Sequence, residues 1–308
     1  MQSGDEIRKR EDTVRPLDVL FVHPNAAQKI YQELSKEFSA IEPPIWAALL
    51  ANHSRQKGFS VEILDCEAEG LSIAQSVEGI RARQPRLVAF VVYGQQPSAS
   101  TQNMTGVSLL SEALRDAYPE YKTIAIGLYP SALPEKTLLD ERLDFVCQGE
   151  GPYTVDVLCQ INLNDESQYS KVPGLWYRQN RKPVFTRSAA NVPQESMPVE
   201  LPGMAWDLLP MNKYRTSNWH AFTNGNQRAP FASLYTSLGC PFKCSFCCIN
   251  TPFGGSGFRY WSPEFIIQEF DKIAAMGITN IKIADEMFVL NQNHFLKICD
   301  LIRQRGHK

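Results

Sequence analysis

Apolar positions along this 308-residue chain fall into two kinds of block. Short runs with few polar interruptions, "LDVLFVH" (17–23), "SVEILD" (60–65), "RLVAFVVY" (86–93), "KTIAIG" (122–127) and "LDFVC" (143–147), predict buried strands. Between them lie longer segments with helical spacing: 43–58, 71–84, 105–118 and 152–161. Continuous rather than alternating strand runs indicate a parallel sheet covered on both faces. The expected fold of residues 17–162, after a polar tail at 1–16, is a doubly wound α/β (Rossmann-like) domain.

From 163 the texture changes. "VPGLWYRQNRKPVF" (172–185) reads as a hairpin with a polar turn, and the stretch to 230, rich in Pro, Asn and Ser, reads as a connector. A second βα pattern starts at "FASLYTS" (231–237). Ser262 is placed as an N-cap, Pro263 at the first helical position, and Gly277 as the stop of that helix. "TNIKIAD" (279–285) and "HFLKICDLIRQRG" (294–306) supply the next strand and helix. Two βα units leave a parallel sheet open-edged, so the chain is expected to be a fragment cut inside its second domain, 231–308.

Composition narrows the function classes. Apolar residues are 44% and charged residues 21% of the chain, and 31 basic against 33 acidic residues give a net charge of −2. No basic surplus advertises nucleic acid. The N-terminus has no apolar signal region, and no apolar stretch approaches the roughly 20 residues of a membrane span. A cytoplasmic protein without nucleic-acid or membrane partners is expected, and in that compartment clustered cysteines point to metal or catalysis rather than disulfides.

"GCPFKCSFCCIN" (239–250) holds four of the eight cysteines. Disulfides, a structural zinc site and an iron–sulfur cluster compete. Zinc sites use a C-x₂-C pair with a second pair at a distance; here the spacing is C-x₃-C-x₂-C, and zinc would have to recruit His220 or Cys299. Three thiolates on one loop suit a [4Fe–4S] cube with one iron left open. Cys248, next to Cys247, reads as a small buried hydrophobe.

The motif C-PFK-C-SF-C after a strand resembles the radical S-adenosylmethionine (SAM) signature. The resemblance covers residues 231–308. It implies a partial (β/α) barrel, a [4Fe–4S] cluster on Cys240, Cys244 and Cys247, and SAM chelated at the open iron. SAM contacts are implied at Phe246 and at the acidic pair Asp285 and Glu286 in "ADEMF", at the end of the second strand. An external electron donor such as flavodoxin or ferredoxin is implied as well. Where the family often has "TSRGC", this chain has "TSLGC", with Leu238.

The first domain, with strand-end loops "YGQQPSAS" (93–100), "GLYPSALPE" (127–135) and "QGEGP" (148–152), resembles the cobalamin-binding domain that precedes many radical SAM domains. Cobalamin contacts are expected at Gly94, Ser98, Gly127, Ser131, Gly149 and Glu150. None of the loops is a G-x-G-x-x-G or a P-loop. "DCEAEG" (65–70) echoes the cobalt-ligating D-x-H-x-x-G with Glu67 in place of His and is read as coincidence; His23 is read as an ordinary loop residue.

The resemblance implies a cobalamin-dependent radical SAM enzyme methylating an unactivated carbon or phosphorus of a small, natural-product-like molecule. A radical cyclase or rearrangement enzyme, a methylthiotransferase, and a non-catalytic cobalamin- or metal-binding module stand as alternatives.

Overall fold

The computed structural model describes residues 16–26, 29–30, 40–93, 97–217 and 228–306. Five parallel strands form the first sheet: β1 (Val19–His23), β2 (Val61–Asp65), β3 (Leu87–Val92), β4 (Lys122–Gly127) and β5 (Phe145–Cys147), in the order β2-β1-β3-β4-β5. The strand order reverses beside β1, between β2 and β3, so the topological switch point lies at the carboxyl ends of β1 and β3. Alternate residues serve two cores. Val19, Phe21, Ala89, Val91, Ile124 and Ile126 face one side, and Leu20, Val22, Val88, Phe90 and Ala125 face the other. Because both faces are covered, the strands read as unbroken apolar runs.

The hairpin expected at 172–185 forms, as β6 (Leu175–Gln179) and β7 (Lys182–Phe185), but it is not part of a separate connector. It extends the sheet antiparallel from β5, pairing Phe145 with Tyr177 and Val146 with Trp176. The sheet is therefore seven-stranded and mixed, and the short edge strand β5 is covered.

Helices α1 (Ile45–Gln56), α2 (Ile73–Arg83) and α3 (Pro97–Ala117) connect the first strands. The sequence places 97–100 in a loop; instead they form the first turn of α3. Ser100 there is buried, bonds back to the Val92 carbonyl and accepts the Tyr129 N–H at 3.0 Å. Turn-forming residues in "QPSAS" concealed this helical start. The 127–135 loop likewise carries a short helix, α4 (Leu128–Ala132), followed by α5 (Pro134–Asp140); α6 (Pro152–Gln160) follows β5.

Helix α1 is buried from Ile45 to Ser54, with no exposed stripe. One face meets the sheet; the other meets the 197–209 segment, including α7 (Met197–Glu200), and the second unit. Asn52 donates to the carbonyls of Pro202 and Gly203, and Arg55 pairs with Asp207 at 2.7 Å. The second unit pairs β8 (Phe231–Leu234) in parallel with β11 (Asn280–Ile283), and β9 (Ser237–Leu238) antiparallel with β10 (Arg259–Tyr260). Helices α8 (Pro263–Ala275) and α9 (Gln292–Arg305) cover them. Ser262 caps α8 as expected, accepting the Phe265 N–H at 3.2 Å. Phe231, Leu234, Trp261, Ile266 and Ile273 belong to the same apolar core as α1, so one core runs through both units.

Candidate functional site

The cysteine loop leaves β9 through Gly239, whose φ is +82°. A Cβ there would meet the Gly257 carbonyl at 2.7 Å, so the position requires glycine. The loop is closed by Asn250. Its amide oxygen accepts the Cys240 N–H at 2.9 Å, and its amide nitrogen donates to the carbonyls of Cys240 at 2.7 Å and Phe242 at 3.2 Å. The Gly257 N–H also donates to the Cys240 carbonyl, at 3.1 Å.

Cys240, Cys244 and Cys247 line one cavity of about 230 Å³ with Phe242, Ile249 and Asn250. Cys244 and Cys247 are exposed, and Cys240 is half-buried. Among the described residues, no three His, Cys, Asp or Glu side chains come together as ligands of a single metal ion. Thiols distributed around a cavity fit a multi-iron cluster better than one ion. Phe246 projects outward, 91% exposed. Cys248 is half-buried, and burial, then Cys247 and Glu286, push its thiol up. Cys299 is exposed on α9, and His220 lies outside the described residues.

The acidic pair after β11 divides into two roles. Asp285 accepts the Thr236 N–H at 2.6 Å, the Thr236 hydroxyl at 2.5 Å and the Ser237 hydroxyl at 2.6 Å. Burial raises its pKa against the opposing pull of these bonds. Glu286 is half-buried and has no hydrogen-bond partner among the described residues. Burial first, and Asp285 second, push it up to about 7. It is the carboxylate left available for a ligand.

Glu286 lies near enough to the first domain to act on Tyr93 electrostatically. Tyr93, following β3, is raised well above the usual phenol range by burial, then by Glu286 and Glu150. Its ring stacks on Trp46 at 4.7 Å and meets Tyr235 edge-on at 6.4 Å. Trp46, Tyr93 and Tyr235 join the carboxyl edge of the first sheet to the end of β8. Sequence reasoning passed over these aromatics because each sits in a run that also reads as core.

At that edge the predicted contacts behave differently from one another. Gly94 and the Ser98 side chain lie outside the described residues. Gly127, φ +143°, is fixed by its own chain: a Cβ would fall 2.6 Å from the Val92 carbonyl carbon. Ser131 accepts the Gly149 N–H at 3.1 Å, tying the ends of β4 and β5 together. Gly149, φ +137°, is open: a Cβ there would meet only Ala189, at 3.7 Å. The Gly149 backbone leaves room on its Cβ side, whereas the Glu150 carboxylate beside it is buried. Glu150 is 2% exposed and is held by Arg259 and by the Val192 N–H.

His23 is no ordinary loop residue. It ends β1 at the switch point, buried, with Asp65 at 3.4 Å and Glu67 at 3.8 Å. Burial pulls its pKa down, but Asp65 and then Glu67 outweigh burial and leave it raised. Asp65 is in turn held by the Tyr214 hydroxyl at 2.8 Å. No helix among the described residues is long and apolar enough to cross a membrane.

Residues 34–158 match the family described as B12 binding domain. The chain is 28% identical over 266 residues to an uncharacterised methyltransferase of Pyrococcus horikoshii, covering 86% of this chain and 53% of that protein. It is 22% identical to the anaerobic magnesium-protoporphyrin IX monomethyl ester cyclase of Cereibacter sphaeroides, covering 94% of this chain and 44% of the cyclase. The chain thus spans about half the length of these curated relatives. Among solved structures, it is similar to the radical S-adenosylmethionine methyltransferase TsrM from Kitasatospora setae, with tryptophan substrate and the SAM analogue aza-SAM bound. The TM-score is 0.63 at 20% identity, over 94% of this chain and 52% of that one.

Proposed function

We propose that this chain, whose residues 34–158 match the B12 binding domain family and whose fold is similar to that of a radical SAM methyltransferase, forms the cofactor-holding half of a cobalamin-dependent radical SAM methyltransferase acting on a small molecule. The observation that carries this reading is the aromatic seam of Trp46, Tyr93 and Tyr235, which joins the carboxyl edge of the first sheet to the strand leading into the cysteine loop. Two unrelated functions would not need a shared core and a shared aromatic seam.

In this reading Cys240, Cys244 and Cys247 hold a [4Fe–4S] cluster, and the Gly149 side of the first sheet holds cobalamin. A cluster held there would supply one-electron reduction of SAM, and cobalamin would supply a methyl carrier. The chain supplies placement. Asn250 fixes the loop that presents the thiols, and Phe242 and Ile249 contribute the apolar part of a wall that Lys243 and Ser256 complete. Ionised Glu286 faces the incoming ligand as a negative charge suited to an ammonium group, and Asp285 holds the strand end that carries it. The acceptor is carbon or phosphorus of a small molecule, and the electron arrives from a flavodoxin- or ferredoxin-like donor.

Likeness to a cyclase keeps radical ring closure as a second reading. The test is anaerobic incubation of the full-length, reconstituted protein with SAM and dithionite. Formation of 5′-deoxyadenosine, lost in the Cys244→Ala variant, supports the radical reading. Its absence in a protein that carries iron and sulfide sinks it.

A further inference from the structure

Glu150 was expected to touch cobalamin, yet its carboxylate is engaged elsewhere. Oε2 accepts the Val192 N–H at 2.6 Å and lies 3.2 Å from Arg259 Nη1; Oε1 pairs with Arg259 Nη2. Arg259 Nη1 also donates to the Val192 carbonyl at 2.5 Å. One peptide unit on each side of Val192 is therefore gripped: N–H by the carboxylate, C=O by the guanidinium. The three partners come from three places: Glu150 follows β5, Val192 lies in the segment after β7, and Arg259 opens β10, the strand that returns from the cysteine loop.

Further contacts surround this clamp. The Trp46 indole N–H donates to the Glu150 carbonyl at 2.9 Å. The Arg259 guanidinium lies over the Phe253 ring at 5.2 Å, and Phe253 meets Trp46 edge-on at 6.4 Å. Asn191 donates to the Phe253 carbonyl at 2.6 Å, and the Gln194 amide both donates to and accepts from the Tyr260 backbone. Arg259 pairs with Leu238 across the β9–β10 ladder, next to Gly239 and Cys240. Glu150 is buried and Arg259 half-buried, so loss of the guanidinium would leave the carboxylate with little access to water.

We infer that Glu150 and Arg259 are positioning residues, an ionic latch that sets the cysteine loop at a fixed distance from the ligand edge of the first domain. The latch itself follows from the contacts alone; its purpose, holding two cofactors in register, rests on the proposed function. Guanidinium geometry matters, because a lysine cannot reach the carboxylate and the Val192 carbonyl together in the same fork.

Hydrogen exchange on the full-length protein without cofactors tests the latch. Arg259→Met, which strands a buried carboxylate, should accelerate exchange about tenfold or more in peptides over 189–195 and 237–260 while leaving β1–β4 unchanged. Glu150→Gln/Arg259→Met should exchange more slowly than Arg259→Met alone, because the stranded charge is gone. Should Arg259→Met fail to fold, Glu150→Gln and Arg259→Lys carry the same comparison. Hydroxocobalamin titration of Glu150→Gln should give a dissociation constant within about threefold of the parent protein. In the loaded protein, dipolar coupling between cob(II)alamin and the reduced cluster should become weaker or broader in Arg259→Lys. Unchanged exchange in the loop, acceleration spread evenly over the first domain, or a Glu150→Gln variant that loses cobalamin while its loop stays protected would each overturn the latch. Failure of the parent protein itself to bind hydroxocobalamin counts against the proposed function and leaves the exchange result to decide the latch.

Discussion

Asp285 holds Thr236 by two contacts, 2.6 Å to its backbone N–H and 2.5 Å to its hydroxyl, and so anchors the end of β11 to the turn that leads into the cysteine loop. Its neighbour Glu286 is bonded to nothing among the described residues. Adjacent carboxylates in one motif thus do different work. Asp285→Ala strands a buried N–H and two hydroxyls and should cost about 2–4 kcal/mol in a denaturant or thermal melt. Glu286→Gln should leave the melt nearly unchanged at low pH, raise it somewhat above about pH 7 where it removes a half-buried charge, and weaken SAM binding. A larger loss of stability in Glu286→Gln than in Asp285→Ala would reverse this assignment.

Glu286 also carries a pH dependence. Burial and then Asp285 raise it from 4.5 to about 7, so the folded state holds this proton more tightly than the unfolded one. Its effect on stability is therefore most favourable at low pH and declines as pH rises from about 4.5 to about 7. Ligand affinity should run the other way: a cationic ligand needs the ionised form, so SAM affinity should rise between about pH 6 and pH 8. Glu286→Gln should flatten that profile, measured by equilibrium dialysis over the same range.

The cysteines make a sharp set of predictions. Cys240→Ala, Cys244→Ala and Cys247→Ala should each lose most iron and sulfide after anaerobic reconstitution. Cys248→Ala and Cys299→Ala should keep them, since one thiol is half-buried with a raised pKa and the other lies on α9. Retention of a full complement by any of the first three would redraw the ligand set.

Two glycines separate folding from binding. At Gly127 a Cβ would strike the Val92 backbone at 2.6 Å, and Gly127→Ala should cost upward of about 2 kcal/mol. Gly149→Ala is strained by its φ but meets nothing closer than 3.7 Å, and about 1–2 kcal/mol is expected. Of the two, Gly149→Ala should show the larger loss of hydroxocobalamin affinity per unit of stability lost, read by absorbance titration beside a melt.

Much of the fold was legible because its signals are local. Five apolar runs became five parallel strands, and Ser262, Pro263 and Gly277 marked α8 within a residue or two. The misreadings have one physical source: partners distant in sequence. Nothing near 172–185 says that the hairpin would cover β5, because that follows from a three-residue strand needing an edge partner. Residues 97–100 look like a turn until Ser100 bonds to Val92.

The site was legible to a similar depth. The cysteine spacing is a local pattern, and the acidic pair follows a strand. Glu150 looked like a strand-end ligand contact because its partner Arg259 lies 109 residues away. His23 looked unremarkable because Asp65 and Glu67 reach it only across the β1–β2 pairing.

The central claim is that one chain holds both cobalamin and an iron–sulfur cluster. An absorbance spectrum of the anaerobically reconstituted protein, given hydroxocobalamin and then desalted, tests it most directly. Retained corrin bands should appear together with a broad thiolate-to-iron shoulder, and only the shoulder should vanish in the Cys240→Ala/Cys244→Ala/Cys247→Ala variant. Loss of corrin on desalting, or a shoulder that survives removal of all three thiols, would contradict it.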